Sequence, residues 1–229
     1  MQQDVIELFE SNIDHAETYQ DRFDHVQEGQ QPEVVTVCCS DSRVLQDHMW
    51  GNDHPGKIFT AGNIGNRVFQ KTRDGRTVSG DVLYPVEHTE TSTIVVVGHS
   101  GCGAVTATYR DITEGLDEPA GIRHCIDLLR PYLKDGIEEL EADGSEYSEN
   151  EAVDRLVEYN VDRQVAFLQQ SDDIPDSVDV IGAVYDFMDV YSGNRGEVHI
   201  ININGERDPA TLRDKHPRLA DRIERVWDR

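Results

Sequence analysis

Two periods of apolar positions run along this chain. From Asp4 to about Val26, Val5, Leu8, Phe9, Ile13, Ala16, Tyr19 and Phe23 recur at helical spacing and predict an amphipathic N-terminal helical arm within residues 1–30. Residues 33–39 (EVVTVCC) are β-branched and follow Pro32, so they predict a buried strand that ends in the polar turn Ser40-Asp41-Ser42-Arg43. A second short strand, 57–61, runs into the glycine-rich turn Gly62-Asn63-Ile64-Gly65-Asn66. Residues 79–90 begin with a capping serine and carry Val82, Leu83 and Val86 at helical spacing despite Pro85. The clearest buried strand, 93–98 (TIVVVG), follows and ends at His99-Ser100-Gly101-Cys102.

Residues 104–112, 122–133 and 149–170 predict helices, the last with Val153, Leu156, Val157, Val161, Val165 and Leu168 on one side. Between the second and third, residues 135–151 hold eight acids and two glycines and predict an acidic surface loop. Strands at 178–184 and 197–203, the latter after the turn Ser192-Gly193-Asn194-Arg195-Gly196, lead to a helical stretch from Pro209. Alternation of this kind predicts one α/β domain over residues 1–229, with a mainly parallel central sheet flanked by helices. Sheets of that type bind ligands at the carboxyl ends of their strands.

Charge narrows the partners. The 229 residues include 45 acidic and 21 basic side chains, a formal net charge of -24. Such an excess repels phosphate backbones and anionic head groups, so neither nucleic acid nor membrane is an expected partner. No apolar run approaches the roughly 18 residues of a membrane-spanning helix, and the start MQQDVIELFE lacks the basic and apolar regions of a secretory signal, so the expected location is the cytoplasm. The acids are dispersed rather than gathered in a tail. At about 1 M salt the screening length falls to roughly 3 Å, which would remove their mutual repulsion, and this composition is read as a halophile's adaptation to a salty cytoplasm.

Four cysteines, Cys38, Cys39, Cys102 and Cys125, are too few and too unevenly placed for a disulfide framework and point to metal or catalysis. A Cys at one strand end and His99-x-x-Cys102 at another would bring two thiolates and an imidazole to a common point, and three protein ligands suit a catalytic zinc. Cys38 and Cys39 face opposite sides of a strand, so at most one joins, and the spacing leaves open which.

The joint pattern, Cys39-Ser40-Asp41-Ser42-Arg43, the GNIGN turn and His99-Ser100-Gly101-Cys102, resembles the β-class carbonic anhydrases, most clearly over residues 33–107. The resemblance implies that Cys39, His99 and Cys102 bind Zn2+ and that Asp41 and Arg43 form a catalytic dyad. It implies a lyase that hydrates carbon dioxide reversibly to bicarbonate and a proton through a zinc-bound hydroxide. Asp41 could become the fourth zinc ligand in a closed state. His54 aligns with a family glutamine that donates a hydrogen bond near the substrate, and so becomes a substrate-binding candidate. Gly62 and Thr36 stand where the bicarbonate-inhibited subgroup has an Arg and a Trp, so that inhibitory pocket is not expected. The resemblance also implies a homodimer or dimer-based oligomer. A carbon disulfide or carbonyl sulfide hydrolase and a noncatalytic zinc-binding bicarbonate sensor are the alternatives on the same residues.

Overall fold

The computed structural model describes residues 2–227. The N-terminal arm is helix α1 (Gln3–Tyr19), extended by a 3-10 segment, Gln20–Val26. Strand β1 (Val34–Cys39) and strand β2 (Ile58–Asn63) follow, then a two-stranded hairpin, β3 (Phe69–Thr72) and β4 (Gly75–Val78). Helix α2 (Gly80–His88), capped by the Ser79 side chain, leads to β5 (Thr93–His99) and α3 (Gly103–Thr113). Two long helices, α4 (Ala120–Asp143) and α5 (Glu149–Gln169), precede β6 (Asp179–Asp186), β7 (Glu197–Ile203) and α6 (Pro209–Lys215).

The central sheet has the order β2-β1-β5-β6-β7, with all pairings parallel except β6 with β7. This is the expected α/β architecture. Crossovers such as α3–α4–α5 between β5 and β6 bring the carboxyl ends of β1, β2, β5 and β6 to one edge, which is where the motif residues lie.

Helix α5 is buried over most of its surface, with only a narrow solvent-facing stripe that includes Glu151 and Arg163. It approaches the sheet closely because Gly98 and Gly182 present no side chain: a Cβ on Gly98 would stand 2.7 Å from Val157 Cγ1, and one on Gly182 would stand 2.8 Å from Val161 Cγ1. The same helix carries buried charge. Glu158 accepts hydrogen bonds from the Val226 and Trp227 amides, each at 2.8 Å, and from the Tyr191 hydroxyl. Asp162 accepts from Arg225 Nη2 and Asn202 Nδ2, both at 2.7 Å. Burial pushes the Glu158 carboxyl up to about 6, against the pull of Arg225.

The expected acidic loop at 135–151 is corrected. Helix α4 continues to Asp143, and only 144–148 connect it to α5. Leu133, Ile137 and Leu140 are buried and extend the apolar stripe of α4 at i, i+4 and i+7, while exposed acids, among them Glu138 and Glu141, lie on its outer side. Gly144, at φ 76°, ends the helix in the left-handed region. The polar hairpin β3–β4 was not expected from the sequence. Helix α1 is amphipathic as expected, yet none of its residues is buried, and Leu8, Phe9 and Ile13 are 71%, 67% and 59% exposed.

The glycine seam yields a prediction. Gly98→Val, which merely extends the run TIVVVG, should overpack the β5–α5 contact and lower stability by about 1–3 kcal/mol. Urea unfolding followed by circular dichroism measures it, and an unchanged midpoint would contradict the close approach.

Candidate active site

Cys39 closes β1, His99 closes β5, and Cys102 stands immediately before α3. One ligand-type atom from each lies within 4.8 Å of the others, and all three residues are buried. Strand alternation settles the choice between the adjacent cysteines. Cys39 shares the main core with Cys102, whereas Cys38 lies on the opposite face with Val44 and Val97. Burial pushes the Cys38 thiol up to about 12, so it stays protonated. Cys125 lies on α4 and is not part of the cluster.

The cluster suits a metal by its chemistry. His99 Nδ1 is 3.1 Å from the Ser100 carbonyl oxygen; donating there leaves Nε2 with its lone pair, and Nε2 is buried without a hydrogen-bond partner. An orphaned buried nitrogen beside two sulfurs is costly in the protein alone and satisfied by a cation. Two thiols and an imidazole form a donor set that favours zinc. The sulfurs are 4.0 Å apart, with Cys102 donating to Cys39. That bond pulls the Cys39 thiol down to about 4, helped by His99 and the Gly65 amide, so Cys39 is the readier thiolate. Cys102 is pushed well up, first by holding the shared proton and then by burial, although the Ala104 and Val105 amides of α3 oppose this.

Asp41 and Arg43 flank the cluster. Arg43 Nε donates to Asp41 Oδ1 at 2.9 Å and Nη2 donates to Oδ2 at 2.8 Å, while the Arg43 amide reaches Oδ1 at 2.9 Å. This two-pronged pairing holds the Asp41 carboxyl well below the usual carboxylate range. Asp41 Oδ2 lies 3.9 Å from His99 Nε2.

Asp154 and Phe187, which the sequence reading missed, and Gly65, which it placed in the GNIGN turn without a role, shape this site. Asp154 on α5 accepts from the Gly101 amide at 2.9 Å and so fixes the turn between His99 and Cys102. An acid among Val153, Leu156 and Val157 on a buried helix was a usable signal for it. Phe187, just past β6, stacks on the His99 ring and no motif marks it, while Gly65 of the GNIGN turn supports the Cys39 sulfur through its amide.

His54 stands apart from these groups. It is exposed, 3.3 Å from Asp53 Oδ1, and Asp53 also pairs with Arg22 of the N-terminal segment. Two surface grooves meet at His54, Pro55 and Gly56, one also lined by His25 and the other by His15 and His48. Neither groove is lined by Cys39, His99 or Cys102.

Comparison with known proteins bears on this arrangement. Residues 34–193 match the family model described as carbonic anhydrase. A carbonic anhydrase of Emericella nidulans is 35% identical over 139 residues, which cover 61% of this chain and 56% of that protein, so the match spans little more than half the length of that relative. The structure of the β-carbonic anhydrase CcaA superposes with a TM-score of 0.71 at 21% identity, covering 87% of each chain. One of two tetrameric β-carbonic anhydrases from Sordaria macrospora superposes with a TM-score of 0.70 at 24% identity, covering 88% of this chain and 98% of that one. The chain belongs to the carbonic anhydrase family, and its fold is that of the β-class members.

Proposed function

We propose that this protein is a zinc-dependent carbonic anhydrase that hydrates carbon dioxide reversibly to bicarbonate and a proton. The observation that carries the reading is the buried Cys39–His99–Cys102 cluster, whose unpartnered His99 Nε2 lies 3.9 Å from an Asp41 carboxylate already clamped by Arg43. Cys39, His99 and Cys102 would hold the zinc through their two sulfurs and Nε2. When bound, zinc supplies Lewis acidity that lowers the pKa of a water and yields a nucleophile near neutral pH.

The chain's own groups do the rest. Asp41, kept ionised by Arg43, accepts a hydrogen bond at Oδ2 and thereby orients the attacking oxygen toward carbon dioxide. Arg43 fixes both carboxylate oxygens, so Asp41 is withheld from the cluster as long as that pair lasts. Asp154 holds the Gly101 amide and keeps His99 and Cys102 at their separation.

For the assembly, we propose a homodimer or a dimer-based oligomer in which the apolar side of α1 is covered by a second copy. Its exposed Leu8, Phe9 and Ile13 support this, as does the tetrameric assembly named for the Sordaria macrospora proteins. Among the described residues no helix is long and apolar enough to cross a membrane. The dispersed net charge of -24 fits a halophile's protein working in the concentrated salt of a cytoplasm.

Measurements in solution test these readings. In stopped-flow hydration of carbon dioxide at molar salt, Asp41→Asn should retain metal and lose turnover by about 100-fold. Cys102→Ser should lose the metal itself, measured by plasma emission. Turnover of carbon disulfide in place of carbon dioxide would assign a sulfur-substrate hydrolase, and metal binding without turnover would assign a sensor. Two thiolates offset the dipositive charge, and Asp41 stays ionised throughout, so turnover should rise from about pH 6 to about pH 9; a flat profile would contradict the donor set. Finally, Leu8→Glu with Phe9→Glu should convert the oligomer to monomers in sedimentation velocity, and an unchanged sedimentation coefficient would place the interface elsewhere.

A further inference from the structure

The Arg43 guanidinium is half exposed, yet it is held on three sides. Asp41 takes its fork, the Gly101 carbonyl oxygen accepts from Nη2 at 3.3 Å, and the Phe187 ring lies beneath it, with Cζ 4.7 Å from the ring centroid. The same ring lies nearly parallel to the His99 imidazole, with centroids 5.6 Å apart and planes inclined at 22°. Phe187 is thus in contact with both the ligand-type imidazole and the cation that restrains Asp41.

Its own placement is firmly built. The Phe187 amide donates to Ser100 Oγ at 3.0 Å, tying it to the turn that carries His99 and Cys102. Buried Asp186 accepts the Met188, Val190 and Tyr191 amides at 2.9, 2.9 and 3.0 Å, which curls the chain after β6 and fixes where residue 187 points. Tyr185 braces the ring edge-on at 5.6 Å.

We infer that Phe187 is a positioning residue that, through the face of its ring, keeps Arg43 on Asp41 and so holds the carboxylate away from the cluster. The inference rests on the carbonic anhydrase reading for its functional meaning, but its geometry does not. A guanidinium over an aromatic face within about 6 Å is attracted by the ring's negative face. At a half-exposed site that attraction changes the population of the held geometry by about two- to fivefold. With the ring gone, Arg43 would spend more time in solvent, and Asp41 Oδ2, already 3.9 Å from His99 Nε2, would be free to move inward.

The test reads Arg43 directly by NMR in the protein as purified, with fluorinated phenylalanines at position 187 that preserve the ring's shape and progressively remove its negative face. Exchange of the Arg43 Nε proton with water should rise in graded steps along the series. Phe187→Leu should raise it by about two- to fivefold, and Phe187→Tyr should restore the wild-type rate. Because the fluorinated rings fit the same space, the measurement survives a failure of Phe187→Leu to fold. A flat series, or wild-type Arg43 side-chain protons without a ring-current shift, would overturn the inference. Turnover of carbon dioxide is scored separately: graded exchange in a protein that never turns over would leave the positioning role standing and remove the anhydrase reading. Turnover with a flat exchange series would do the reverse.

Discussion

Parallel pairing of β1 with β5 is the constraint on which the site depends. Cys38 is in register with Val97, so Cys39 stands beside Gly98 and His99 lies one step beyond. Neighbouring strands run about 4.8 Å apart, the same scale as the separation of the cluster's donor atoms, so two adjacent strand ends nearly suffice to assemble it. Had the two strands been antiparallel, Cys39 and His99 would sit at opposite edges of the sheet. The third donor comes from the turn into α3, whose shape depends on Asp154 from α5, and α5 can come close enough only because Gly98 lacks a side chain. Packing and chemistry therefore share residue 98.

Much of this was legible in the sequence, for identifiable reasons. The runs VVTVCC and TIVVVG are continuous apolar strands with turn residues after them, a form that buried parallel strands take whatever surrounds them. What was misread depended on context. In residues 135–151 the acids outnumber the apolar residues, and the buried side chains Ile137 and Leu140 were obscured by them; the helix emerges only once α5 supplies a surface for that stripe. The hairpin β3–β4 has four-residue strands, mostly polar, too short for periodicity to register. At the site, the residue types that can bind metal and the GNIGN turn were visible, but Asp154 and Phe187 act through contacts 53 and 87 positions away in the chain, counted from Gly101 and Ser100 respectively. No local pattern encodes such distances.

Arginine carries out most of the specific electrostatic holding in a chain dominated by acids. Arg43 forks onto Asp41, Arg123 and Arg130 converge on buried Asp111, and Arg225 serves Glu158 and Asp162. Arg43 and Arg225 each engage both oxygens of a carboxylate through the planar fork of the guanidinium, a geometry that a lysine ammonium does not provide. The choice of 17 arginines against 4 lysines thus has a structural basis beyond surface solubility.

The two ends of the chain consequently differ as handles. Helix α1 contributes nothing to the protomer's core, whereas the segment through Trp227 inserts Arg225, 3% exposed, between two buried carboxylates and lays two backbone amides on Glu158. Trimming that segment would strand Glu158 and Asp162 without their buried cation, a loss on the order of 3–5 kcal/mol. For immobilisation or fusion, a carboxyl-terminal attachment needs a spacer that leaves residues 223–227 seated. An amino-terminal attachment spares the protomer's core and instead competes for whatever covers Leu8 and Phe9.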